Sequence, residues 1–292
     1  MMIGGIMSDY VIMSDTGCDI EFETLRDWGV GFRGLSFHFE GDREYHEGEM
    51  EKSEFYARMR AGEVSKTSAV NSQSFKELFE EALKEGKDIL YLGFSSGISA
   101  TSNSAMMAAN ELSEEYPDRK IITIDTLSAS AGQGLVLYYA VEKKKAGADI
   151  EENAQYIRDM IPHLAHWFTV EDLVYLKRGG RVSATAAFAA GVLGIKPVLH
   201  VDDEGRLINM MKVRGRDMSL KTIAKKYVET AQDPNGIYFV SHGDCLEDAK
   251  KLESYIEAEG GGKCALFTTI GTIIGSHAGP GTIALFFLAK GR

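Results

Sequence analysis

LYLGFSSGISATSNSAMMAANEL, residues 90–112, runs from a short apolar stretch through a hydroxyl-rich turn into a helical pattern. An uninterrupted apolar run bounded by a turn reads as a strand buried on both faces, the signature of a parallel sheet covered by helices. The pattern repeats around it. YVIM (10–13) ends in Ser14-Asp15-Thr16-Gly17, and Lys120–Ile124 ends in Asp125-Thr126 before a helix over Gly134–Lys145. Helices are also predicted over Glu21–Trp28, Ser53–Arg60 (with a serine N-cap) and Ser72–Glu85, and a second strand over Gly31–Phe39. In Ser72–Glu85 the residues Phe75, Leu78, Phe79 and Leu83 share one face. Alternating strands and helices define an α/β domain.

After a helix over Ile150–Leu164, a second set of elements follows. An Ala-rich helix is expected over Ser183–Leu193, a hairpin over Lys196–Val201 and Arg206–Val213, and helices over Ser219–Glu229 and Cys245–Glu259. Strands are expected over Gly236–Val240 and Cys264–Ile270, and GTIIGSHAGPG reads as a glycine-rich loop before a last apolar strand. The expected architecture is two α/β domains, 1–163 and 164–292, with mainly parallel sheets and a ligand site between them. A chain of 292 residues has room for two cores.

Composition narrows the function. The net charge of −11 opposes binding to nucleic acid, and leaves membrane contact no more than transient. Three widely spaced cysteines, Cys18, Cys245 and Cys264, form no CxxC pair, so neither a disulfide framework nor a thiolate zinc site is expected. The first residues lack a basic segment and cleavage site, and the longest mostly apolar run, Ala184–Ile195, is too short for a bilayer. A cytoplasmic protein is the expectation.

The chemistry concentrates in three hydroxyl- or glycine-rich stretches: Lys66-Thr67-Ser68, the turn Ser95–Ser104, and Gly275–Gly281 around His277. Hydroxyls and helix N-termini offer donors to an anion. Gly93-Phe94-Ser95-Ser96-Gly97 also spells G-x-S-x-G, so a serine hydrolase is the alternative, with His277 in the right chain order. Phe94 and Ser96 are poor neighbours for a strained elbow, and no HGGG-type oxyanion loop precedes them. Ser95 and Ser96 therefore read as donors in an anion cradle. No P-loop or GxGxxG fingerprint occurs, so no cofactor is called for. His163 and His166 lack a third ligand, His242-Gly-Asp-Cys245 reads as a loop before an Asp-capped helix, and Asp15 and Asp125 read as caps; no metal site is expected.

Taken together, SDTGCDI, KTS, SSGISATSNSA, IDTLSASAGQG, VEDLVYLKRGGRVSA, GIKPVL, KVRGR and IGSHAGPG resemble the DegV family of bacterial fatty-acid-binding proteins, in family order over nearly the whole chain. Departures include Asp-Thr for Asp-Ser at 15–16 and 125–126, Ala100, and the absence of proline over Ala69–Ser72. The resemblance implies one long-chain fatty acid held between two domains. Its carboxylate would be bound by Thr67, Ser96 and His277, with Ser68 and Ser95 as further candidates, and small residues at Ala184–Gly194 could leave room for its tail. It also implies a possible partner, the ATP-binding subunit of a fatty acid kinase that phosphorylates the bound carboxylate. Arg181 in KRGGR and Arg214 in VRGR are the residues expected to face that partner.

Overall fold

The computed structural model describes residues 9–182 and 194–292; the helix and small residues expected between 183 and 193 lie outside the described residues. Residues 10–125 supply β1 (Tyr10–Asp15), β2 (Val30–Arg33), β3 (Ser36–Phe39), β4 (Tyr45–His46), β5 (Ser65–Ser68), β6 (Asp88–Gly93) and β7 (Ile121–Asp125). β2-β1-β6-β7 form a wholly parallel sheet. As its unbroken apolar run implies, β6 is buried along its entire length. β4-β3-β5 form a small antiparallel sheet beside it.

The strand expected over Gly31–Phe39 is therefore two strands in two sheets. The break falls at Gly34-Leu35, where the Leu35 N–H donates to the Thr16 hydroxyl (3.1 Å) and leaves the ladder. Helix Ser72–Lys84 buries Phe75, Leu78, Phe79 and Leu83 as predicted, and Asn71 caps it by accepting from the Ser74 N–H. Helix Lys52–Arg60 begins after Glu51 with no side-chain cap, so the expected Ser53 cap is not formed.

The later strands are β8 (Leu164–Thr169), β9 (Ile195–Val201), β10 (Leu207–Arg214), β11 (Tyr238–His242), β12 (Leu266–Thr269) and β13 (Ile283–Leu288), in the order β10-β9-β8-β13-β11-β12. Only β11–β12 is parallel; every other pair in this sheet is antiparallel. The expectation of mainly parallel sheets thus holds for the first sheet and not for the second. Strand patterns register burial, whereas the direction of a partner depends on the connection between strands.

Helix Ala131–Lys145 joins the two halves. It is buried at Leu135, Val136, Leu137 and Ala140, and packs against β1 and β6 as well as β8, β11 and β13. Helix Ile150–Met160 is opened by a capping box of Asp149 and Glu152 and gives way to a short turn at Pro162. His163 lies in that turn and His166 on β8, so they do not share a helix face. Helix Leu246–Ala258 has no side-chain cap; Asp244 instead adopts a left-handed conformation and pairs with Arg60. The cysteines are free thiols. Among the described residues no helix is long and apolar enough to cross a membrane, and no cluster of three metal-ligating side chains occurs.

Candidate functional site

Where the carboxyl ends of the first sheet face the second sheet, a cavity of about 210 Å³ lies between the two halves. Its walls are mostly hydrocarbon, from Phe94 and Ile98 on one side to Phe168, Ile273, Ile274 and Phe286 on the other. Polar groups enter at a few points, chiefly Thr67, Ser99, Ser130, Arg181, His277 and Thr282. An apolar chamber with sparse, placed polar groups is the usual form of a small-molecule site.

Two of the expected residues meet there. Thr67 is on edge strand β5 and His277 on helix Thr272–Ala278, and the Thr67 hydroxyl lies 2.8 Å from His277 Nε2. Neither segment is the loop expected from its hydroxyls and glycines. The pairing is reinforced one step away, where Ser65 and Ser276 exchange a hydroxyl hydrogen bond at 2.7 Å. His277 Nδ1 is buried without a hydrogen-bond partner among the described residues. Burial, and then the nearby Arg181, push the imidazole pKa down to about 4. His277 is thus neutral near pH 7.

Arg181 brings a guanidinium to the cavity wall. Expected to flank the pocket mouth and face a partner, it lines the cavity and an adjoining, more open and polar one, half-buried, donating from Nε to the Ile98 carbonyl (3.1 Å) and from Nη1 to the Gly179 carbonyl (2.5 Å). No carboxylate of the described residues pairs with it. The preceding turn is drawn in tightly: a Cβ on Gly179 would stand 2.2 Å from His277 Nδ1. The sequence signal for this role was the glycine pair in KRGGR, which lets an arginine fold back over the cavity.

The remaining candidates are placed elsewhere. Ser95 is fully buried and donates to the Gly205 carbonyl (2.8 Å), accepting in turn from the Gly97 N–H. Its hydroxyl is committed to a carbonyl and not to an imidazole, so the G-x-S-x-G turn lacks the general base that a hydrolase needs. Ser96 is exposed, its N–H directed at Asp125 (3.2 Å), and it does not line the cavity. Ser68 and Arg214 are also exposed, Arg214 at the end of β10. Asp15 does the capping expected of it, accepting from the Gly17 N–H and also from that of Phe94, whereas Asp125 caps no helix and accepts from the loop N–H groups of Ser96 and Leu127.

Fold and site together define a two-lobed α/β protein with an apolar chamber closed by polar groups from both lobes. The DegV family model matches residues 9–290, and the chain belongs to the DegV family. A DegV domain-containing protein of Clostridium perfringens is 42% identical over 286 residues, covering 97% of this chain and 98% of its own. Among solved structures, a fatty-acid-binding DegV family protein of Thermus thermophilus has a TM-score of 0.86 at 27% identity, covering 96% of this chain and 99% of its own. A stearic acid-binding protein of Eubacterium ventriosum also has a TM-score of 0.86, at 29% identity, covering 96% of this chain and 98% of its own.

Proposed function

We propose that this protein binds one long-chain fatty acid in the cavity between its lobes, with the carboxylate at Thr67, His277 and Arg181 and the tail among the apolar walls. The observation that carries this reading is the convergence of a hydroxyl, a neutral imidazole and a guanidinium that no carboxylate of the described residues pairs with, on a chamber made mostly of hydrocarbon. The fatty-acid ligands of the Thermus thermophilus and Eubacterium ventriosum proteins support it. So does the energetics. Each buried methylene contributes roughly 0.8 kcal/mol, so about sixteen carbons supply on the order of 10 kcal/mol before losses. A carboxylate held by charge-assisted hydrogen bonds from Arg181 offsets its own desolvation.

Organic extraction of the purified protein followed by mass spectrometry tests the reading, together with saturable uptake of labelled palmitate by delipidated protein. About one fatty acid per chain is expected. Folded, delipidated protein that takes up no palmitate overturns it.

The finer part of the reading is that the bound acid is presented to an ATP-dependent kinase that converts its carboxylate to an acyl phosphate. Arg214, exposed at the end of β10, remains the residue for that encounter, since arginine's planar fork suits phosphate or carboxylate on a partner. Arg214→Ala is expected to leave palmitate affinity unchanged while slowing acyl-phosphate formation at subsaturating kinase. Equal rates for variant and wild type would remove Arg214 from this role.

A further inference from the structure

Beside the acyl cavity lies a second, more polar one of about 620 Å³, bounded by Asp19, Glu21, Glu47, Lys52, Asp244 and Gly271. The two share a wall. Ile270 and Ile273 face the first, while Gly271 and Thr272, between them in sequence, face the second. Ser130 lines the first, and its hydroxyl reaches Asp19 Oδ2 (2.5 Å) in the second.

Asp19 fastens one lobe to the other. It follows β1, yet its carboxyl accepts from the Gly271 N–H (2.9 Å) and its carbonyl from the Thr268 hydroxyl (2.6 Å). Ser130 extends the fastening to Ser241 on β11 (2.9 Å). Glu47 approaches the same glycine from β4's side. A Cβ on Gly271 would lie 2.0 Å from Glu47 Oε1 and 2.8 Å from Asp19 Oδ1, so two carboxyl groups converge on one backbone position. Glu47 Oε2 is buried without a hydrogen-bond partner among the described residues.

Lys52 is the nearby cation, and its ammonium is already bonded to Glu21 (2.6 Å) and the Thr269 carbonyl (3.0 Å). The other ionisable groups facing the pair are Cys18 from the β1 side and Tyr56 from helix Lys52–Arg60; Asp15 lies beyond Cys18, and Asp244 and Cys245, from the loop after β11, beyond Tyr56. Arg60 is taken up by Asp244, and burial keeps His242, which faces Lys52, on the neutral side, so the ammonium of Lys52 is the cation beside Asp19, Glu47 and Glu21. Burial raises both carboxyl pKa values, and for Glu47 the charge of Asp19 adds to it.

We propose that a proton held by the Asp19–Glu47 pair keeps the lobes closed over the acyl cavity, so that ligand retention depends on pH through this junction. The proposal rests on the fatty-acid reading of the cavity. The cavity wall belongs to both lobes, so the ligand is held by the closed arrangement. Closed, the pair keeps its proton; opened to water, both carboxyls ionise. Raising the pH then shifts the population away from the closed, binding form.

The test is palmitate affinity from about pH 6 to about pH 9 for wild type, Glu47→Gln and Lys52→Gln. Wild type is expected to lose at least about tenfold, since affinity falls by a factor of ten for each pH unit over which the closed form keeps a proton that the open form has lost. Glu47→Gln, neutral throughout, should stay within about twofold over the same span. Lys52→Gln removes the cation that favours ionisation, and should move the fall to higher pH. The ligand's own ionisation is common to all three proteins and cancels in the comparison. A flat wild-type profile, or a Glu47→Gln profile parallel to wild type, overturns the proposal; an unmoved Lys52→Gln profile does so independently. Absence of saturable binding at every pH would instead overturn the fatty-acid reading itself.

Discussion

A hydroxyl and an imidazole 210 residues apart in sequence meet at 2.8 Å, and the affinity for a carboxylate is expected to turn on that meeting. Thr67→Val and His277→Ala each remove a hydrogen bond to a charged group, worth roughly 1.5–3 kcal/mol, so each should weaken palmitate binding about tenfold to a hundredfold by titration. Ser96→Ala, in contrast, should change it less than about twofold, within the usual range for an exposed substitution. A tenfold loss there would return Ser96 to the cradle. Gly179→Ala is a sharper probe. Gly179 has an ordinary right-handed backbone (φ −71°), so alanine strains nothing locally, and its only cost is the methyl placed against His277. It should weaken binding as His277→Ala does, without contacting ligand.

His277 also sets a pH dependence of folding. Its pKa in the fold, about 4, lies below its ordinary value, so the folded state binds fewer protons than the unfolded one between them. The stability gained from the neutral ring is full above the unfolded pKa and is lost as pH falls toward about 4. Denaturant titrations of His277→Gln should show a shallower acid limb than wild type in that window. An unchanged limb would mean that the imidazole titrates in the fold much as it does in water.

At the scale of elements, the β9–β10 hairpin lines the cavity with Val201 and Leu207, and its turn packs on the Ser95 turn through Gly205. Its left-handed backbone (φ +72°) and the 2.1 Å that would separate its Cβ from Ser95 Oγ both exclude a side chain. Gly205→Ala should therefore destabilise the protein by roughly 1–3 kcal/mol, measured as a lower denaturation midpoint. Elements such as β6 and helix Ser72–Lys84 were legible because their apolar spacing records which faces are covered. Others were not. Lys66-Thr67-Ser68 has the composition of a loop, and becomes a strand only because β3 offers a ladder to it. The segment around His277 has the glycines of a loop, but its first residues close into a helix packed on β3, β5 and helix Lys52–Arg60. The candidate site was legible as a set of hydroxyls and one histidine. Which of them face inward was not, since Ser95 and Ser96 are neighbours with opposite surroundings. Arg181 was visible as an unusual arginine beside two glycines, yet the direction of its side chain depends on a turn that no periodicity encodes.

For the whole molecule, a ligand that fills the space between lobes binds only the folded state and should stabilise it. At about a hundredfold excess over Kd the gain is about 2.7 kcal/mol, which raises the melting temperature by several degrees in a chain of this size. Calorimetry of delipidated and palmitate-loaded protein measures it. An unchanged melting temperature at saturation would mean that the ligand binds folded and unfolded chain alike.

The strand order of the second sheet has a bearing on synthesis. β13, the last strand in sequence, is not at an edge; it lies between β8 and β11 and pairs with both. The first sheet is complete once residue 125 has been made, so that part can form early on a ribosome. The second sheet is then two separated groups of strands until Ile283–Leu288 arrives. Until that moment Phe239 and Val240 lack a partner on one side, and the nascent chain displays apolar edges of the kind that chaperones hold. A chain stopped before Ile283 should accumulate as an aggregation-prone species with a folded first sheet, detectable by protease resistance confined to its N-terminal portion. Supplying the missing segment as a separate peptide should restore palmitate uptake.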